Sequence, residues 1–95
     1  MELRTYRTAS GLCPFQEWRD GLDQTARIRV AVALARLENG QFGNVKAIGA
    51  GVLEFRIDFG PGYRIYFGRD GQDLVLLLTG GDKRRQQRDI DAAID

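Results

Sequence analysis

The period of apolar positions changes along the chain, and each change marks a different kind of element. Residues 2–8 alternate, with Leu3, Thr5 and Arg7 against Glu2, Arg4 and Tyr6, as in a short strand. Ser10-Gly11 breaks that pattern. Pro14 suits a first helical position, and Phe15, Trp18 and Leu22 follow at spacings of three and four. After Gly21, Asp23 can cap a second helix over about 24–38. Its expected inward stripe is Ile28, Ala31, Val32 and Ala35, widened by Leu34 and Leu37, and Asn39-Gly40 ends it. So short a link between two helices predicts an antiparallel helical hairpin.

Residues 40–51 are glycine-rich and without period, and read as a loop with room for a short strand at 44–48. The period then becomes two. Leu53, Phe55, Ile57 and Phe59 share one face, and Val52, Glu54, Arg56 and Asp58 the other. Gly60-Pro61-Gly62 turns the chain, after which Tyr63, Ile65 and Phe67 alternate with Arg64 and Tyr66. Asp70-Gly71 marks the next hairpin. Leu74–Thr79 is nearly continuously apolar, as in a strand buried on both faces, and Gly80-Gly81 closes it. Asp82 can cap a last helix over about 83–94, with Ile90, Ala93 and Ile94 inward. The order β-α-α-β-β-β-α predicts an α+β fold: an antiparallel sheet of about four strands, an N-terminal helical hairpin and a C-terminal helix.

Composition narrows the possible chemistry. A chain of 95 residues with 43% hydrophobic and 28% charged side chains is expected to form one globular domain over 1–95. With no histidine and a single cysteine, Cys13, neither a disulfide framework nor a metal site of the Cys/His type is expected. No cofactor is expected either. The first residues hold no apolar segment of signal-peptide type, and Leu74–Leu78 is far too short to span a membrane. A cytoplasmic protein is the expectation. The net charge of +1 argues against a generally basic nucleic-acid binder, so any cationic patch must be assembled by folding.

The stretch 52–67 is where such a patch would form. If its apolar positions share the core, Arg56, Arg64 and Tyr66 share the opposite face, expected to be exposed, with Glu54 and Asp58 nearby. Paired guanidinium groups suit a phosphate, and a phenol beside them can exchange a proton or stack on a base. Solvated arginine–carboxylate pairs are the commoner meaning of the same pattern. Periodicity alone therefore favours decoration over a site. Trp18 and Phe15 read as core, Cys13 as a small buried hydrophobe, and the glycines of 40–51 do not form a nucleotide-binding fingerprint.

The segments Val52–Ile57, Gly60–Phe67, Leu76–Leu78 and Gly80–Ile90 carry a further signal. They resemble the phage-derived addiction-module killer proteins, HigB-like members of the RelE/ParE superfamily of type II toxins. The resemblance implies a small toxin neutralised by a co-encoded helix-turn-helix antitoxin. It also implies metal-independent cleavage of mRNA on the ribosome; a ParE-like inhibitor of DNA gyrase is the alternative. By position, Arg64 corresponds to the family's phosphate-contacting sheet arginine and Arg56 and Lys83 to cations of the same face, with Tyr66 a looser match; in a ribonuclease of this kind either Tyr66 or Lys83 would move the proton. Lys46, Arg84 and Arg85 are the expected RNA contacts. The last helix carries Arg85, Gln86, Gln87 and Arg88 where better-known relatives have a tyrosine, so the general base is unassigned. An antitoxin has two candidate surfaces, the cationic face and the helical hairpin.

Overall fold

The computed structural model of the chain describes residues 1–82, so the expected C-terminal helix lies outside the described residues. Those residues form β1 (Glu2–Thr5), α1 (Pro14–Asp20), α2 (Gln24–Glu38), β2 (Val45–Gly49), β3 (Val52–Ile57), β4 (Tyr63–Asp70) and β5 (Leu74–Asp82). The five strands make one sheet in the order β1-β5-β4-β3-β2. β1 runs parallel to β5, and every other pair is antiparallel. The α+β class is as expected; the sheet has one strand more than the four anticipated, and it is mixed.

The additional strand is β2, in the stretch read as a loop with room for a strand. Three successive residues at its end, Gly49, Ala50 and Gly51, have positive φ and reverse the chain tightly into β3. The glycines that make this turn also dilute the alternation that would reveal the strand. β5 differs from expectation in the other direction, continuing through Gly80 and Gly81 to Asp82. Its register against β4 shifts between Tyr66 and Phe67, a bulge that carries the strand past its apolar stretch. β1 is shorter than the alternation suggested, ending at Thr5.

Capping explains the ends of α2. The Asp23 carboxylate accepts a hydrogen bond from the Ala26 amide at 2.8 Å. At the other end Gly40, with φ of 77°, lets its own amide bond to Leu37 O and the Gln41 amide bond to Arg36 O at 2.9 Å. That is a Schellman closure of the last turn. Asp23→Ala should cost about 1 kcal/mol, read as a small drop in thermal midpoint with no change in fold.

The face that α2 buries departs from the expected one. Ala26, Val30, Ala33 and Leu37 are buried, whereas Ile28 and Val32 are 56% and 46% exposed. The helix is apolar on two sides, and periodicity cannot say which of them meets the sheet. Small side chains at 26 and 33 allow the closer approach to β3, so that side wins.

The core is Phe15, Val30, Ala33 and Leu37 from the helices against Phe55, Ile57, Ile65, Phe67, Val75 and Leu77 from one face of the sheet. α1 lies mainly on β5 and α2 on β3, each helix packing more on its strand than on the other helix. The Trp18 ring crosses Gly80, flanked by Phe15 and Tyr63 at centroid separations of 5.7 and 6.3 Å. No helix among the described residues is long and apolar enough to cross a membrane.

Candidate functional site

On the face of the sheet away from the helices, strand register builds two cross-strand rows. One runs Lys46, Glu54, Tyr66, Thr79 over β2, β3, β4 and β5; the other runs Arg56, Arg64, Gly81 over β3, β4 and β5. Directly paired residues of antiparallel strands project to the same side. The expectation that Arg56, Arg64 and Tyr66 share one face therefore holds. Lys46 stands on the same side at the sheet edge and is exposed.

Exposure of that face was expected too, and here the structure corrects the reading. Arg56 is exposed, but Arg64 is 7%, Glu54 1% and Tyr66 0% exposed. Alternation assigns a residue to a face without saying what lies over that face. β4 is the central strand, flanked by β3 and β5, and Val52 on the same face is buried as well. A wholly buried Tyr66 ring offers no face on which a base can stack.

Burial changes the meaning of Glu54. Its carboxylate lies 3.6 Å from Arg64 Nε, both side chains being almost completely covered. At that distance the contact is an ion pair rather than a hydrogen bond, and Arg64 Nε has no hydrogen-bond partner. A charged guanidinium out of water needs a counter-charge, and Glu54 supplies it. The sequence displayed this acid only as a neighbour on the alternating strand. The usable signal was its diagonal relation to Arg64 once Glu54 is set opposite Tyr66. Deleting Arg64 would therefore also disturb the fold, because it removes the guanidinium paired with a buried carboxylate.

Where β3 turns into β4 a cleft of about 430 Å³ opens, lined by Arg56, Asp58, Phe59, Arg64 and the Gly60-Pro61-Gly62 turn. Both arginines border it although Arg64 is otherwise enclosed. Like charges placed directly opposite on adjacent strands repel. Glu54 offsets one of them, and an anion in the cleft would offset the other. Gly81, opposite Arg64, projects no side chain over the guanidinium. Asp58 opposes anion binding from the rim. Among the described residues no carboxylate lies within 4 Å of Arg56, and no group of acidic or cysteine side chains is placed to hold a metal ion. Lys83, Arg84 and Arg85 lie outside the described residues.

A mixed sheet with helices on one face and paired arginines opening into a cleft from the other defines a small α+β protein suited to an anionic ligand. Residues 17–94 match the family described as phage derived protein Gp49-like (DUF891). The chain belongs to this family, which is associated with toxin–antitoxin modules, an association that implies an antitoxin partner. It is also 40% identical over 80 residues to an uncharacterised protein of Haemophilus influenzae, an alignment covering 83% of this chain and 81% of that one.

Proposed function

We propose that the chain is the toxin of a type II toxin–antitoxin pair: a one-domain, cytoplasmic, HigB-like member of the RelE/ParE superfamily that cuts mRNA on the ribosome without a metal. The observation that carries this reading is the Arg56–Arg64 pair lining one cleft in a chain of the Gp49-like family. In the reaction the substrate's 2′-oxygen bonds to the adjacent phosphorus and the bond from phosphorus to the 5′-oxygen breaks. The 2′-hydroxyl proton leaves to a base and the 5′-oxygen gains a proton, leaving a 2′,3′-cyclic phosphate. Negative charge builds on the phosphoryl oxygens during the attack, and preorganised donors aimed at it lower the barrier.

Arg64 is the inner donor, held in orientation by Glu54, and Arg56 the outer, solvent-facing one. Lys83 is the remaining cation for proton transfer, with Tyr66 backing Arg64 from inside the sheet. Lys46, Arg84 and Arg85 extend the path of the RNA backbone. In this scheme the ribosome supplies substrate alignment, which relaxes the demand on a finely tuned acid–base pair.

The test is to induce the chain alone and map transcript 5′ ends and cyclic-phosphate 3′ ends. Cleaved transcripts on translating ribosomes are the expected result. An SOS response with intact mRNA would instead identify a gyrase inhibitor. Because Arg56 is exposed, Arg56→Ala should leave the thermal midpoint unchanged while lowering cleavage roughly 10²-fold. Full cleavage by that variant removes Arg56 from the site.

A further inference from the structure

A second cavity is larger than the arginine cleft. It is a groove of about 580 Å³ between α2 and the end of β3. Its α2 wall holds Ile28 and Val32, the apolar pair one helical turn apart that the core leaves outside. Three arginines surround that pair. Arg29 stacks on the Phe59 ring at 4.6 Å, and Arg36 and Arg56 complete the lining. Asp58 is the one acid there, and among the described residues none of the three arginines has a carboxylate within 4 Å.

Strand pairing explains why the groove is open. β2 covers the β3 edge only as far as Phe55, and the last bond is from the Arg56 amide to Asn44 O at 3.2 Å. On that side, opposite β4, no described strand lies beside Ile57, where β3 ends. An apolar centre with cations around it fits an acidic peptide segment carrying aliphatic side chains. A nucleic-acid strand would fit it less well, having no use for two exposed aliphatic side chains.

We propose that this groove is the docking site of the antitoxin, and that it accepts an acidic segment carrying aliphatic anchors. The anchors cover Ile28 and Val32, and carboxylates meet Arg29, Arg36 and Arg56. The identity of the partner rests on the toxin reading above; the chemistry of the segment rests on the groove itself. Arg56, Asp58 and Phe59 line both this groove and the arginine cleft. A segment seated in the groove therefore takes Arg56 away from RNA, and docking and inhibition become one event.

The experiment uses the full chain and, as probe, the purified product of the neighbouring gene in its operon. Ile28→Glu/Val32→Glu should weaken binding at least 100-fold and abolish neutralisation on co-expression, with thermal midpoint and unneutralised toxicity intact. Arg36→Glu should weaken binding about tenfold and flatten its salt dependence. Unchanged affinity in both variants overturns the proposal. So does a double variant that binds the probe normally but loses RNA cleavage, which would make the groove a nucleic-acid surface. A wild-type dimer that the double variant converts to monomer would assign the groove to self-association, again overturning it. The affinity readouts do not depend on the chain's own activity. If instead the toxin reading fails, the wild-type chain shows no cleavage or gyrase effect whatever the groove variants do.

Discussion

Gly80→Ala is expected to destabilise the protein by about 3 kcal/mol, the upper end of ordinary overpacking costs. A Cβ at position 80 would fall well inside van der Waals contact of Trp18 Cε3, Cδ2 and Cζ3. These are atoms of a rigid bicyclic ring, not the tip of a flexible chain. The ring cannot swing aside, since Phe15 and Tyr63 flank it. α1 would have to lift from β5, opening the core at Phe15. In a domain of this length each kcal/mol shifts the thermal midpoint by roughly 4–8 °C, so a fall of more than about 12 °C is expected. A double-mutant cycle isolates the cause. On a Trp18→Ala background the added methyl should cost almost nothing, giving a coupling close to the whole single-mutant effect. A Gly80→Ala protein with an unchanged midpoint would disprove the packing of Trp18 across the strand.

The Glu54–Arg64 pair gives the second large effect and also separates stability from activity. Glu54→Ala removes the counter-charge from an arginine that is 7% exposed. Breaking a buried pair by deleting one partner typically costs about 3–5 kcal/mol. Arg64→Ala should cost a similar amount for the mirror-image reason, leaving a carboxylate that is 1% exposed without its guanidinium. Loss of toxicity in either single variant would therefore mix unfolding with lost chemistry. Glu54→Leu/Arg64→Met avoids this, because replacing a buried ion pair by apolar side chains of similar volume is often neutral or stabilising. The double variant is expected to melt near the wild-type temperature and to be inactive. A folded double variant that still cleaves mRNA would eliminate Arg64 as the phosphate donor. If the double variant unfolds as readily as the singles, Glu54 has a structural role beyond pairing.

Much of the architecture was legible in the chain because it depends on local period and local turn chemistry. The bounds of α2 follow from Asp23 and Gly40, whose roles are made within a few residues of the helix itself. The hairpin of β3 and β4 follows from alternation on either side of Gly60-Pro61-Gly62. β2 was harder to see because its strand signal is five residues long and ends in the glycines of its own turn.

The placement of Arg56, Arg64 and Tyr66 on one side of the sheet was likewise decided by sequence. Period two allows no other arrangement once Phe55, Ile65 and Phe67 enter the core. Whether that side is solvated was decided by tertiary structure. The central position of β4 and the diagonal approach of Glu54 involve residues ten apart in the chain, beyond the reach of any local pattern. The two apolar sides of α2 show the same division. The sequence shows that α2 is apolar on both sides; only packing against β3 selected Ala26, Val30, Ala33 and Leu37 for the core and left Ile28 and Val32 at a groove. Helix and strand are set by interactions between near neighbours, whereas burial and charge pairing depend on which distant surfaces the whole chain brings together.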